Sequence, residues 1–122
     1  MDAKNLEEVP SFITKNGSEI HELLAYHNST IANQSLAEAC APIGALTQEH
    51  SYVKTEGIYY TTATTGRIPI EEKTREAKSG DATAIPSGKK HKLWNTGNET
   101  QTLLYRCTSC YEHSDTAITE EL

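Results

Sequence analysis

The stretch GDATAIPSGKKHKLWN, residues 80–95, decides how the fold of this chain is interpreted. Gly80-Asp81 predicts a turn that leads into a strand. Pro86-Ser87-Gly88 predicts a tight corner, in which glycine can take a positive φ. A short β-type run lies on each side of the corner, and His91 falls near the start of the second run. The stretch therefore predicts two strands joined by a sharp turn.

Short β-type runs and turn residues also alternate on both sides of this stretch. Short β-type runs separated by turn residues are predicted at 11–14, 19–25, 34–41, 45–50, 57–64, 67–70, 73–77, 82–86, 90–95 and 101–108. Regular spacing of this kind is typical of an all-β sandwich or barrel. Since 122 residues are too few for two cores, we expect one closed jelly-roll barrel, which also protects strand edges. We expect an acidic N-terminal segment at 1–10, the barrel at 11–116 and a frayed tail at 117–122.

Charge and composition exclude several classes of protein. The chain has 11 Lys+Arg against 17 Asp+Glu, a formal net charge of -6, which disfavours nucleic-acid binding through phosphate neutralisation. No run approaches the ~18 apolar residues of a membrane span. The first ten residues lack the apolar run of a secretory signal. With three cysteines, an odd number, the sequence favours a protein of the reducing cytoplasm.

Two of the cysteines have a C-x-x-C spacing, Cys107 and Cys110. A zinc site would need more ligands nearby, and His113 is the candidate on the same segment. A thioredoxin-like site would open a helix, but residues 111–115 lack a helical apolar pattern. We therefore favour ordinary thiols at the end of a strand.

The aromatic composition is uneven, with 6 Tyr against 1 Phe and 1 Trp. A core built from tyrosine has to find partners for many hydroxyl groups, as a wet cavity lined by side chains does. We therefore expect some tyrosines to line such a cavity.

A candidate site is centred on His50 and His91. Since alternate residues of a strand face one side, His50 and Tyr52 are expected to point the same way. Continuing that parity along the chain places Glu56 and Tyr60 on the same face. Two imidazoles, a carboxylate and phenols would then converge in the mouth of the barrel. His21 and His27 have no ligand partner at useful spacing and are expected to be surface or structural histidines.

The pattern G-x5-P-x-G-x2-H-x3-N in residues 80–95 resembles the second motif of the cupin superfamily at every defined position. Residues 44–56 read G-x5-H-x-Y-x3-E, followed later by Gly66, and resemble the first cupin motif. In this chain Tyr52 stands where that motif has its second histidine. The resemblance covers about residues 34–108 and implies a cupin jelly-roll barrel, usually a homodimer through sheet packing.

The resemblance also implies a mononuclear metal site. His50, Glu56 and His91 would hold a divalent transition metal (Fe, Mn, Ni or Zn), and Tyr52 would be a fourth ligand or a general acid. The metal would act as a Lewis acid on a small polar or anionic metabolite, in an isomerase, lyase or dioxygenase reaction.

The replacement by Tyr52 leaves two alternatives open. In the first, the metal is lost, and His50 or His91 removes a carbon-bound proton while Tyr52 or Tyr60 stabilises an enolate or protonates a leaving hydroxyl. The protein would then be a dehydratase, isomerase or cyclase. In the second, the pocket binds a small molecule such as a sugar without catalysis.

Three further residues are candidates for contacts with a small-molecule substrate. Gln48 precedes His50 by two residues and shares its predicted face. Arg106, if it faced inward, would anchor a carboxylate, although the alternation of the last strand favours an outward position. His113 would fold over the mouth as a lid residue.

Overall fold

The computed structural model describes residues 1–15 and 17–120 as a set of antiparallel strands with two short 3-10 helices, Leu6–Glu8 and His113–Asp115. In chain order the strands are β1 Ser11–Ile13, β2 Glu19–Leu24, β3 Ser35–Ala41, β4 His50–Tyr52, β5 Glu56–Ala63, β6 Gly66–Ile70, β7 Lys73–Ala77, β8 Ala82–Ile85, β9 Trp94–Asn95, β10 Gln101–Thr108 and β11 Thr116–Ile118. Within these residues no helix has the length and apolar character needed to cross a membrane. The all-β prediction is confirmed.

The strands form two layers around one core. The larger sheet has the order β1-β2-β3-β10-β5-β8. The opposite layer contains β7-β6-β9 and the pair β11-β4, which isolated bridges connect at Leu46–Trp94, His50–His91 and Ile70–His91. Buried side chains from both layers meet in a single cluster that includes Ile20, Tyr59, Ile68, Leu103 and Tyr105. The expected jelly-roll barrel with a single core is therefore what the chain forms.

The face that β5 turns to the core differs from the prediction. Exposed and buried residues alternate along it, and Gly57, Tyr59 and Thr61 are the buried ones. Glu56 and Tyr60 lie on the outer face, so the prediction that they face the interior with His50 was wrong. The physical reason is that β4 and β5 belong to different sheets, and the turn between them breaks the alternation.

The alternation of β10 agrees with the prediction. Leu103, Tyr105 and Cys107 are buried, and Arg106 is exposed. The Arg106 guanidinium donates through Nε to the Gln34 side-chain oxygen at 3.0 Å, on the outside of the barrel. Arg106 is therefore not placed to anchor a substrate inside.

Two strand boundaries near the site also differ from the sequence prediction. The strand expected at 45–50 is instead a loop whose Leu46 makes a single bridge, and β4 begins only at His50. The segment after Asp115, expected to be frayed, forms β11, which pairs with β4 from Tyr52 to His50. The Asp115 carboxylate accepts the backbone N–H groups of Lys54 and Thr55 at 3.0 Å. This closing segment therefore fixes the turn between the two layers.

Close packing between β5 and β10 depends on a glycine. A Cβ atom at Gly57 would overlap the ring of Tyr105, which is buried in the core on the neighbouring strand. The position therefore allows no side chain unless that ring moves.

We predict that Gly57→Ala lowers the free energy of unfolding by about 1–3 kcal/mol, because overpacking displaces the Tyr105 ring. Urea denaturation of the variant checks this loss. In a Tyr105→Leu background the same substitution should cost clearly less, since the ring that the new methyl group meets is gone. Equal costs in the two backgrounds would contradict the steric explanation.

Candidate active site

The centre of the site is a pair of histidines that exchange backbone hydrogen bonds. The His50 backbone N–H donates to the His91 carbonyl at 3.0 Å, and the His91 N–H donates to the His50 carbonyl at 2.8 Å. Such a reciprocal pair places both side chains on the same face of the sheet. Their rings are accordingly 4.2 Å apart between centroids, and the two residues are 0% and 1% exposed.

Local carbonyl groups fix the tautomer of each ring. His50 Nδ1 lies 2.8 Å from the Gln48 carbonyl, and His91 Nδ1 lies 3.0 Å from the Lys89 carbonyl. A carbonyl oxygen can only accept, so each Nδ1 carries the hydrogen and each neutral ring has its lone pair on Nε2. The Nε2 atom of His91 is buried and has no hydrogen-bond partner among the described residues. It is therefore available to a ligand or a proton.

Burial keeps both rings neutral. It lowers the pKa of His50, against a small opposing effect of the Gln48 carbonyl. Burial and, after it, charge repulsion from the neighbouring His50 lower the pKa of His91 to about 3. Each imidazole is therefore a base in its unprotonated form near neutral pH.

Four tyrosines surround this pair. The ring of Tyr52 lies 5.4 Å from His50, 5.3 Å from His91 and 5.9 Å from both Tyr105 and Tyr111. Tyr59 lies 5.9 Å from His91 and 4.5 Å from Tyr105. The prediction that tyrosines line the interior holds for these rings. On β5 the tyrosine that faces the interior is Tyr59 and not the predicted Tyr60, because the alternation on this strand is shifted by one residue from the prediction.

The phenols are uncharged hydrogen-bonding groups. Burial raises the pKa of Tyr52 well above its ordinary value, and burial likewise raises the pKa values of Tyr59 and Tyr105. Phenols in this state donate hydrogen bonds and are poorly suited to bind a metal as phenolates.

A small cavity lies on the other side of these tyrosines. It has a volume of about 30 Å³ and is lined by Tyr52, Tyr59, Tyr105 and Tyr111 together with apolar residues of β2, β3 and β10. The histidines do not line it; they contact the two rings, Tyr52 and Tyr59, that do. This volume holds only two or three water molecules, at about 10–15 Å³ each. A larger molecule must therefore extend from outside.

An open groove of about 610 Å³ adjoins the cavity and shares Phe12, Glu22 and Tyr111 with it. The groove has the volume of a site for a small molecule, about 300–1,000 Å³. A ligand seated there can reach the cavity between these three side chains.

Glu22 is a polar residue at this passage that sequence reasoning missed. One carboxylate oxygen, Oε2, is 2.7 Å from His27 Nε2, while Oε1 is buried and has no hydrogen-bond partner among the described residues. The signal that could have found it is the alternation of β2, because Glu22 shares its face with the buried Ile20. Glu22 can accept a hydrogen bond from a ligand in the groove.

The remaining candidates from the sequence are placed as follows. Gln48 contributes its backbone carbonyl, which orients His50, and it does not line the cavity or the groove. The side chain of His113 lies outside the described residues. Cys107 and Cys110 are buried free thiols, and burial raises the pKa of Cys107 to about 12, which disfavours a reactive C-x-x-C site.

The described residues do not complete the expected metal site. His50 and His91 offer two nitrogen ligands, but Glu56 lies on the outer face beside Ile58 and Arg106, where it lines a separate shallow groove. The buried phenol of Tyr52 does not replace the missing carboxylate. One group of three metal-ligand side chains does occur within the described residues, at His21, Glu38 and Cys40, outside this site.

Comparisons with known proteins place this barrel in a family. No protein-family profile matches the chain. The protein named "Uncharacterized protein MJ1618" from Methanocaldococcus jannaschii is 37% identical over 114 residues, 93% of this chain and 91% of that protein, so the two belong to one family. A Cupin 2 conserved barrel domain protein from Salinispora arenicola superposes with a TM-score of 0.73 at 16% identity, over 88% of this chain and 87% of that one. The chain has the fold of a cupin barrel.

Two further solved structures share this fold. The polyketide cyclase RemF from Streptomyces resistomycificus has a TM-score of 0.84 at 16% identity, over 100% of this chain and 87% of that one. Pac13, a nucleoside dehydratase, has a TM-score of 0.78 at 13% identity, over 97% of this chain and 90% of that one. At sequence identities this low, the comparison shows a shared fold only.

The second cupin motif has a structural task in this barrel. Gly88, with φ of 80°, closes the corner after Pro86 and donates its N–H to the Tyr52 carbonyl at 2.8 Å. Asn95 is buried and donates its side-chain amide to the carbonyls of Ala41 and Glu99 at 2.8 and 2.9 Å. The motif thus holds His91 against the strand that carries His50 and Tyr52.

We predict a pH dependence of stability that comes from these histidines. The pKa of His91 falls from 6.5 to about 3 on folding, so the unfolded chain binds the extra proton between these values. The free energy of unfolding should therefore decrease as the pH falls through this window, by up to about 1.4 kcal/mol per pH unit. Urea denaturation of chelator-treated protein between pH 7 and 4 measures this.

His91→Gln should show a shallower decrease than the wild type, because glutamine does not titrate. Tyr60→Phe on the outer face should keep the wild-type slope. Identical slopes in wild type and His91→Gln would contradict the lowered pKa.

Proposed function

We propose that this cupin is an enzyme that moves protons on a small molecule by His and Tyr acid–base chemistry, as a dehydratase, isomerase or cyclase. The observation that carries the proposal is the pair of buried imidazoles packed against Tyr52, which lines the cavity. His91 Nε2 has no hydrogen-bond partner among the described residues, and neither does Glu22 Oε1 at the passage. Each such group costs about 1–3 kcal/mol, which a bound substrate would offset.

The arrangement suggests a division of tasks. Tyr52 lies between the cavity and the two imidazoles, so its phenol is the group that contacts the reacting part of the substrate. His50 and His91, held neutral by burial, are the bases behind it. In this proposal the Tyr52 oxygen takes the proton of the substrate C–H bond while its own proton passes to an imidazole Nε2. Tyr52 then donates a proton to the leaving hydroxyl, which departs as water as the C–O bond breaks, and the imidazolium returns its proton to Tyr52.

The groove indicates the kind of substrate. A ring or other flat apolar group would pack against Phe12 and Tyr111, while a hydroxyl or N–H group would donate to Glu22 Oε1. The small cavity accepts only a substituent of one or two heavy atoms, such as a hydroxyl group that leaves as water. We therefore propose a small polar ring compound with a hydroxyl next to an acidic C–H bond.

Two proteins with this fold have functions in the same class. Pac13 is a nucleoside dehydratase, and structures of Streptomyces Pac13 variants contain uridine; RemF is a polyketide cyclase. The two names describe loss of water from a nucleoside and ring closure of a polyketide, which supports the reaction class proposed here.

A metal-dependent reaction is the second candidate. The Nδ1 atoms of His50 and His91 are hydrogen-bonded to backbone carbonyls, so the two adjacent rings would offer their Nε2 atoms to an ion. It would need the remaining ligands from solvent or substrate. Metal analysis of protein purified without an affinity tag separates the candidates: an ion whose binding is lost in His91→Gln would favour the metal, and activity unaffected by chelators would favour acid–base chemistry.

We predict that Tyr52→Phe and His91→Gln each reduce kcat by about 10²–10⁴-fold, the usual contribution of a general acid or base. The assay follows uridine-class nucleosides and small β-hydroxycarbonyl compounds in D₂O by NMR, which detects both loss of water and exchange of a carbon-bound proton.

Tyr60→Phe is the matched control, since this tyrosine lies on the outer face and should leave kcat unchanged. Full activity in Tyr52→Phe would contradict the proposal. Tight binding of a panel compound with neither exchange nor turnover would identify a non-catalytic small-molecule binding cupin instead.

We also propose that the protein is a cytoplasmic homodimer formed through the outer face of the larger sheet. Ile58 and Tyr60 are 43% and 45% exposed on β5, and Leu104 lies directly opposite Tyr60 on β10. A contiguous apolar patch of this kind is typical of an interaction surface. The three free cysteines agree with a reducing compartment.

We predict that Ile58→Glu halves the mass measured by size-exclusion chromatography with light scattering. The charge would be buried between the larger sheets of the two protomers and would separate them. The control is Ile13→Glu on β1, the strand at the far edge of the sheet. This variant should keep the mass of two chains. A wild-type mass of one chain would contradict the dimer.

A further inference from the structure

A second cluster of functional groups lies on the outer face of the larger sheet, away from the cavity. Its members are His21 on β2 and Glu38 and Cys40 on β3, all half-buried. One potential ligand atom from each residue lies within 4.8 Å of the others. This is the only group of three such side chains among the described residues, and neither the proposed reaction nor the packing of the core uses it.

The sheet geometry explains why the three side chains meet. His21 pairs directly with Glu38 in the antiparallel register of β2 and β3, and Cys40 follows Glu38 by two residues on the same face. Directly opposed side chains have Cβ atoms about 4.5–5.5 Å apart, and alternate residues point the same way. The backbone hydrogen bonds between the strands thus hold the three ligands in place before any ion arrives.

The hydrogen bonds within the cluster are incomplete. The Cys40 thiol donates to Glu38 Oε1 at a long 3.4 Å. The Nδ1 atom of His21 is buried and has no hydrogen-bond partner among the described residues. A buried ring nitrogen without a partner is unfavourable, and a cation would supply the missing interaction.

We propose that His21, Glu38 and Cys40 form a site for a divalent transition metal of the zinc class. Sulfur, imidazole nitrogen and carboxylate oxygen are the three ligand types that Zn²⁺ takes in proteins, and water would complete a tetrahedron. On binding, the Cys40 S–H proton passes to solvent as the metal–sulfur bond forms. One thiolate and one carboxylate then balance the two charges of the ion.

The electrostatics around Cys40 agree with a cation at this place. The carboxylates of Glu38 and Glu19 both lie close enough to act on the Cys40 sulfur. The two carboxylates that oppose a thiolate would attract a metal ion, and the ion in turn would stabilise the thiolate.

The proposed metal site and the groove lie on opposite faces of β2. His21 faces outward to the metal, and the next residue, Glu22, faces inward to the groove. An ion that ties β2 to β3 would therefore hold in place the strand that carries Glu22. This role does not depend on the reaction proposed for the interior.

Titration of the reduced, metal-free protein with Co²⁺ tests the proposal. We expect one ion per chain, a near-ultraviolet charge-transfer band from thiolate to Co²⁺, release of one proton and a rise in Tm, because the ion binds only the folded chain. Cys40→Ala and His21→Gln should abolish the band or weaken binding at least about 100-fold, more than loss of an outer-sphere partner costs.

His27→Gln and His50→Gln are the matched controls and should keep both the band and the stoichiometry. Circular dichroism establishes that each variant is folded, and Glu38→Gln provides a second variant with a full-size side chain. A band that survives in Cys40→Ala, one that is lost in His50→Gln, or no uptake of Co²⁺ or Zn²⁺ at all would overturn the proposal.

Discussion

The two backbone hydrogen bonds exchanged between His50 and His91 are the constraint on which the site depends. They join segments that are distant in the sequence and force both imidazoles onto one face, where the rings meet at 4.2 Å. Because the pair is fully buried, water cannot stabilise a charge on either ring, and the pKa values of both fall. The Gly88 N–H bond to the Tyr52 carbonyl adds a third connection between the same two segments.

The surplus of tyrosine has its explanation in this interior. Tyr52, Tyr59, Tyr105 and Tyr111 surround the histidines or line the cavity, while Tyr26 and Tyr60 are exposed. Phenylalanine would fill the same space without a buried hydroxyl to satisfy. Buried polar atoms without partners also occur away from the cavity. It is the packing of Tyr52 and Tyr59 against the two histidines that favours a role in binding or chemistry over a role in packing alone.

Strand β2 links the two proposed sites. Its inward residues line the cavity and the groove, and its outward residue His21 belongs to the cluster with Glu38 and Cys40. Since successive side chains of a strand point to opposite faces, one strand can present a ligand for a metal on one side and a substrate contact on the other. In these proposals, a metal at the outer cluster would tie β2 to β3, and the interior would supply the acid–base groups.

The sequence by itself determined the all-β fold, most strand positions, the corner at Pro86–Gly88, the pairing of His50 with His91 in one site and the buried face of β10. These features depend on local turn chemistry and on alternation within one strand, which the sequence contains. Only the tertiary structure decided that Glu56 and Tyr60 face outward, that β11 closes the site, and that Glu22 and the His21 cluster exist. The reason is that alternation cannot be carried through the turn that takes the chain from one sheet to the other, and cross-strand neighbours follow from long-range register rather than from spacing along the chain.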